Sequence, residues 1–101
     1  MWQIKIHHQV VDEDFKTINK HDQSIILKTI YKNLTVSPKK YSSPLRKELN
    51  KELKGYWKLK ISHYRVVYRI EKNVVKVLVL KVGMRRNAEV YNEMLARIEK
   101  L

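Results

Sequence analysis

The chain has 101 residues, a length that suits one compact domain spanning positions 1–101. It contains no cysteine, which excludes disulfides and thiol chemistry, and no apolar run approaches the roughly 20 residues of a membrane span. Lysine and arginine number 22 against 10 acidic residues, a formal net charge of +12. This balance favours a polyanionic partner bound through phosphate contacts, although a solvated basic surface would have the same composition.

The first third of the chain has strand and helix patterns. Trp2–His7 alternates apolar and polar residues as a half-buried strand does, not as a signal peptide, so we expect a cytoplasmic protein with no membrane partner. Two apolar stripes at helical spacing follow, one formed by Val11, Phe15 and Ile18 and one by Ile26, Ile30 and Leu34, widened by Ile25, Leu27 and Tyr31. With His21-Asp22-Gln23 as the break between them, these stripes predict a helical hairpin packed on a sheet.

Residues 43–55 allow two interpretations. The second helix ends at Ser37-Pro38-Lys39-Lys40, after which leucines recur every four residues at Leu45, Leu49 and Leu53. Ser43 as a cap, Pro44 at the first helical position and Gly55 as a terminator would make a short amphipathic helix. The alternative is a basic loop that the three leucines hold against the core.

Three β-branched runs form the centre of the sequence. They are Tyr56–Ile61, Arg65–Ile70 and Val74–Val82, separated by Ser62-His63 and by Glu71-Lys72-Asn73. Such short separations predict an antiparallel meander. An apolar stripe over Ala88–Leu101 predicts a C-terminal helix. The fold class is therefore α+β: an antiparallel β-sheet with an N-terminal helical hairpin and a C-terminal helix, in the order β-α-α-β-β-β-α.

The meander concentrates cations. Because side chains alternate across a strand, Lys58 and Lys60 point to one face, while Trp57, Leu59 and Ile61 point to the other. Arg65 opens the next strand, and Arg85, Arg86 and Tyr91 follow Gly83. No Gly-rich phosphate loop is present, and the four histidines lack companions at metal-ligand spacing, so neither a metal nor another cofactor is predicted.

These residue types suit cleavage of RNA by its own 2′-hydroxyl. That reaction needs a base for the 2′-hydroxyl, donors for the charge growing on the phosphate, and a proton for the leaving 5′-oxygen. Arginine donates to phosphate in a planar bidentate manner, lysine supplies a point charge, and neighbouring cations favour a tyrosine phenolate. The alternative is that the cations are only a solvent-exposed strand face and that Tyr91 is a core or rim aromatic.

Three motifs resemble the RelE/ParE toxin superfamily of bacterial toxin–antitoxin systems. They are Gly55-Tyr56-Trp57-Lys58-Leu59-Lys60, His63-Tyr64-Arg65-Val66-Val67-Tyr68, and Val82-Gly83-Met84-Arg85 through Glu89-Val90-Tyr91. The second motif is common to most of the superfamily and indicates the fold. The paired lysines, the arginine after Gly83 and the distal tyrosine are more similar to the ribonuclease branch typified by RelE.

The resemblance implies a metal-independent endoribonuclease that cleaves messenger RNA in the ribosomal A site. It also implies three partners: messenger RNA, the ribosome with its 16S ribosomal RNA, and a cognate antitoxin. The implied catalytic residues are Lys58, Lys60, Arg65, Arg85 and Tyr91. Further candidates for binding the substrate are Arg86, Arg46 and His63, the histidine that lies near the basic cluster. The lysines would hold and polarise the phosphate and the arginines would stabilise the transition state, with Arg85 a candidate proton donor. Tyr91 would stack on the substrate or act as the general base.

The sequence departs from the RelE pattern at two positions. RelE has a further basic residue two positions after the arginine matched by Arg85, where this chain has Asn87. Many relatives have Gly or Asp where His63 stands. Two other functions remain open at this point. One is a ParE-like inhibitor of DNA gyrase on the same fold, and the other is a basic RNA-binding module without activity.

Overall fold

The computed structural model describes residues 1–44 and 56–84. Its elements in chain order are β1 Gln3–Ile6, α1 His8–Asp12, a 3₁₀ helix Asp14–Thr17, α2 Lys20–Leu34, β2 Ser42–Pro44, β3 Tyr56–Ile61, β4 Tyr64–Glu71, a second 3₁₀ helix Lys72–Val74, and β5 Lys76–Met84. The α+β class predicted from the sequence is confirmed. The choice between helix and loop over residues 45–55 and the predicted C-terminal helix lie outside the described residues.

The sheet has five strands in the order β1-β5-β4-β3-β2. The meander of β3, β4 and β5 is antiparallel, as predicted, but β1 pairs with β5 in parallel. The sheet is therefore mixed, and the expectation of a wholly antiparallel sheet was wrong in this respect. The alternation of apolar and polar residues predicted β1 correctly, because this pattern involves only residues within the strand. The choice of partner depends on the crossover through the helices, which no local pattern encodes.

The helical segment also differs from its prediction. The first predicted helix is instead the five-residue α1 followed by a 3₁₀ helix, and α2 already begins at Lys20. The predicted break at residues 21–23 thus lies in the first turn of α2. The physical reason is an N-cap: the side-chain oxygen of Asn19 accepts a hydrogen bond from the Asp22 N–H at 2.8 Å.

The core lies between the helices and one face of the sheet. The buried residues of the cluster are Val10, Phe15, Ile18, Ile26, Ile30 and Leu34 from the helical segment, and Leu59, Ile61, Tyr64, Val66, Tyr68, Ile70, Val77, Val79 and Val82 from the sheet. Trp57 packs against this cluster. Both predicted apolar stripes of the helical segment bury fewer residues than expected, since Val11, Ile25 and Tyr31 are exposed. Within residues 1–44 and 56–84, no helix is long and apolar enough to cross a membrane.

The segment after α2 is held to the sheet by Tyr68. Its buried hydroxyl donates a hydrogen bond to the carbonyl oxygen of Pro38, and burial raises the pKa of Tyr68 to about 12. The chain then forms β2, in which Ser43 pairs with Lys58 and Pro44 with Trp57. Ser43 and Pro44 were predicted as a possible helix start, and the structure places them in an edge strand instead. Proline is tolerated there because one side of an edge strand needs no ladder donor.

Candidate active site

The strand register gathers three of the predicted cations on one face of the sheet. Lys60 lies opposite Arg65, which lies opposite Gly83 on β5, while Lys58 lies opposite Val67. Directly opposed residues of antiparallel strands project to the same face. Lys58, Lys60 and Arg65 therefore share the sheet face that is turned away from α2. The alternation predicted for β3 is confirmed, because the intervening Leu59 and Ile61 belong to the core on the other face.

The three cations differ in exposure. Lys60 is exposed, Lys58 is half-buried, and Arg65 retains only 6% of its accessible surface. The Nη1 group of Arg65 donates hydrogen bonds to the backbone oxygens of Tyr64 at 2.9 Å and Ser62 at 3.3 Å. The guanidinium is thus held against the β3–β4 turn. Contact with a phosphate would have to use its other N–H groups, of which a guanidinium has five in total.

The β3–β4 turn carries His63, another of the predicted site residues. Ser62 adopts a positive φ of 55°, and the exposed His63 ring lies against the Tyr64 ring with centroids 4.2 Å apart. A positive φ at the first of two loop residues matches the right-handed twist of a β-hairpin. The His63 ring thus lies with Tyr64, whose side chain belongs to the core face, and near Asp22 of α2. Its role as a substrate contact stays a prediction.

A hydrogen bond between Tyr64 and Asp22 ties this turn to α2. The Tyr64 hydroxyl donates to Oδ2 of Asp22 at 2.7 Å. The bond lowers the pKa of the Asp22 carboxyl and raises the pKa of the Tyr64 phenol, since it favours an ionised acceptor and a protonated donor. Sequence analysis missed this contact, because the two residues are 42 positions apart.

A second missed contact is the buried ion pair of Asp14 and Lys81. Oδ1 of Asp14 lies 2.6 Å from Nζ of Lys81, and Oδ2 accepts the Val82 N–H at 3.0 Å. The strand β1 ends opposite Val79 of β5. Beyond that residue, the Asp14 carboxylate lies at the edge of β5 in place of β1. One signal was available in the sequence, since Lys81 is the single charge in the apolar run 77–82.

Four predicted site residues, Arg46, Arg85, Arg86 and Tyr91, lie outside the described residues. The described part of the chain places Lys58, Lys60 and Arg65 on one sheet face, and His63 lies in the adjoining turn with its ring against Tyr64. Met84, the last residue of β5, pairs with Tyr64 at this same end of the sheet, and Arg85 is the next residue in the sequence. Among residues 1–44 and 56–84, no cluster of three or more histidine, aspartate or glutamate side chains could hold a metal ion.

Residues 5–89 match the family model described as the ParE toxin of the type II toxin–antitoxin system parDE. The chain belongs to this toxin family. Its place in the RelE/ParE superfamily, predicted from the three motifs, is thereby confirmed. The sequence has no significant match among curated proteins.

Solved structures of relatives share the fold of this ParE-family toxin. The RelBE2 toxin–antitoxin complex from Mycobacterium tuberculosis matches with a TM-score of 0.71 at 21% identity, over 83% of this chain and 98% of that one. Isolated RelE from Escherichia coli matches at 0.68 and 23%, over 97% and 99%. An E. coli RelE mutant in complex with an antitoxin RelBc peptide matches at 0.68 and 23%, over 91% and 92%. At these identities the similarity establishes the fold.

Proposed function

We propose that this toxin is a ribosome-dependent endoribonuclease that cleaves messenger RNA in the A site and so inhibits translation. The observation that supports this most directly is the placement of Lys58, Lys60 and Arg65 on one sheet face beside the β3–β4 turn. Three cations on adjoining strands provide a field suited to a phosphodiester. The similarity of fold to RelE also supports the proposed ribonuclease activity.

The chemistry that this face would assist is transesterification. The 2′-oxygen attacks phosphorus, the bond to the 5′-oxygen breaks, and the products are a 2′,3′-cyclic phosphate and a 5′-hydroxyl. The exposed ammonium of Lys60 would contact a non-bridging oxygen, and the half-buried Lys58 would add positive charge beside it. Arg65, fixed against the turn, would keep its charge in place as the phosphate gains negative charge.

The two proton transfers are assigned by resemblance to residues outside the described part of the chain. Tyr91 would take the 2′-hydroxyl proton or orient the base, and Arg85 would protonate the leaving 5′-oxygen. Binding on the ribosome would supply the in-line orientation of the 2′-hydroxyl, a contribution that can exceed that of any single side chain. The toxin would therefore act in the cytoplasm.

We also propose that a cognate antitoxin binds and silences this toxin. Two of the similar structures contain an antitoxin or a fragment of one. A basic chain with net charge +12 would be neutralised most readily by a partner of opposite charge.

Substitutions in cells test the site. Lys60→Ala, Arg85→Ala and Tyr91→Phe should each leave the circular-dichroism spectrum and thermal midpoint intact but relieve growth arrest. Lys28→Ala is the matched control, because Lys28 is an exposed lysine on α2, outside the proposed site. Growth arrest at the wild-type level in all three site variants would contradict the assignment.

A second candidate function is inhibition of DNA gyrase, which the match to the ParE family model favours. This activity would use the same fold without requiring Lys58, Lys60 and Tyr91 together. Loss of gyrase supercoiling in a purified assay, with messenger RNA intact in arrested cells, would establish it. A basic RNA-binding module without activity would instead show salt-dependent RNA binding and no cleavage on translating ribosomes.

A further inference from the structure

Two lysines lie between two surface cavities, at the end of the sheet opposite the β3–β4 turn. Lys39 and Lys72 line both a cavity of about 690 Å³ on the Trp57 side and a cavity of about 400 Å³ on the Trp2 side. These are the two tryptophans of the chain. We call the two cavities and the lysines between them the tryptophan groove. It lies away from the face that carries Lys60, since Trp57 packs against the opposite, core side of β3.

The two lysines are close enough to repel each other. Both are exposed, and the proximity of Lys72 lowers the pKa of Lys39. The Lys39 ammonium also lies 5.5 Å from the centroid of the Trp57 ring, a favourable cation–π distance. Glu71 lines the same groove, but its carboxylate is engaged by Arg69 at 3.2 Å. An anion bound between Lys39 and Lys72 would offset their repulsion.

The backbone that carries Lys72 is held in place by neighbouring strands. Val75 adopts φ 51°, a conformation that is unusual for a β-branched residue. Its N–H donates to the Lys72 carbonyl at 3.2 Å, and its own carbonyl accepts the Gln3 N–H of β1 at 3.0 Å. A constrained turn of this kind fixes the direction in which Lys72 leaves the sheet, and such strain often accompanies a binding site.

We propose that the tryptophan groove binds single-stranded RNA, with Lys39 and Lys72 sharing one phosphate and the tryptophans beside adjoining nucleotides. The alternation of aromatic ring, cation pair and aromatic ring matches the alternation of base and phosphate in a single strand. An acidic peptide would satisfy the cations, but it would place no ring beside each tryptophan. This site goes beyond the proposed cleavage, because none of its residues belongs to the catalytic set.

The test uses a 2′-O-methyl RNA oligonucleotide, which lacks the attacking hydroxyl and binds without being cleaved. Binding is therefore measured independently of nuclease activity. Tryptophan fluorescence should change on titration, because both tryptophans line the groove. The variant Lys39→Ala/Lys72→Ala is compared with Lys28→Ala/Lys32→Ala, which removes the same charge from exposed positions on α2.

Each phosphate contact to a single strand contributes about 0.7 to the slope of log affinity against log salt. Because Lys39 and Lys72 share one phosphate, losing both should reduce the slope by about 0.7, which amounts to roughly 5-fold weaker binding at 0.1 M salt if the contact contributes nothing at 1 M. The α2 variant should change affinity much less. Equal weakening by both double variants, or unchanged tryptophan emission at saturation, would overturn the proposal. Tighter binding of polyglutamate than of RNA, dependent on the same two lysines, would overturn it in favour of an acidic protein partner.

Discussion

The buried pair of Asp14 and Lys81 makes a strong prediction about stability. Asp14→Asn keeps an oxygen that can accept the Val82 N–H, but it removes the charge that lies 2.6 Å from the Lys81 ammonium. The Asp14 side chain is 1% exposed and that of Lys81 is 8% exposed, so water cannot replace the lost partner. Breaking a buried pair by removing one charge typically costs about 3–5 kcal/mol. Domains of this size are stable by only about 5–15 kcal/mol, so the loss would be a large fraction of the total.

Urea denaturation of wild type, Asp14→Asn, Lys81→Met and the double variant measures this effect. With an m-value of about 1.5 kcal/mol/M, the Asp14→Asn midpoint should fall by about 2 M or more. The double variant should be more stable than the sum of the two single changes implies, because it removes both charges of the pair together. Asp12→Asn is the control, since the His8–Asp12 pair is mostly exposed and should contribute less than about 1 kcal/mol. A loss below about 1 kcal/mol for Asp14→Asn, or single changes that simply add in the double variant, would show that the pair is not energetically coupled.

Two further predictions concern pH and backbone conformation. The pKa of Tyr68 is about 12 in the folded protein, against about 10 when unfolded, so its contribution to stability is complete below pH 10 and is lost as the pH rises towards 12. Tyr68→Phe should flatten this alkaline decline in urea titrations by up to about 1.4 kcal/mol per pH unit, whereas Tyr31→Phe, at an exposed position, should not. Val75→Gly should stabilise the fold by about 0.5–1 kcal/mol, since glycine relieves the positive φ, and Val74→Gly should destabilise it by a similar amount. Stabilisation by both glycine variants, or by neither, would show that the conformation of Val75 carries no strain.

The meander could be predicted from the sequence because its signals are local. The three β-branched runs and their short connections predict antiparallel neighbours, and alternation along β3 correctly separated Lys58 and Lys60 from the core. The register of β3 against β4 then brings Arg65 opposite Lys60 as a consequence of the two-residue turn. This much of the candidate site depends on strand period and turn length alone.

Other features required information that no local pattern carries. The parallel pairing of β1 depends on how the helical crossover packs, and the Asp14–Lys81 and Tyr64–Asp22 contacts join residues far apart in the chain. The start of α2 was misplaced for a different reason. Asn19 followed three residues later by Asp22 is an N-terminal signal in the sequence, whereas the spacing of apolar residues alone places the start of the helix later.

The orientation of Arg65 was also beyond local patterns. Its position on the strand was predicted, whereas the direction of its guanidinium depends on the backbone carbonyls that the turn presents. A cation on a strand can point along the sheet, into solvent or back to the turn with the same sequence period. The burial of Arg65 therefore could not be predicted from the sequence.

Primer extension on messenger RNA in a purified translation system tests whether this toxin cleaves messenger RNA on the ribosome. Wild-type toxin is compared with Arg85→Ala and with Lys60→Ala, each shown to be folded. We expect new RNA ends within A-site codons for wild type alone, and only when ribosomes are translating. Intact messenger RNA in the presence of folded wild-type toxin, together with inhibited gyrase supercoiling, would contradict the proposed ribonuclease activity and make DNA gyrase the target.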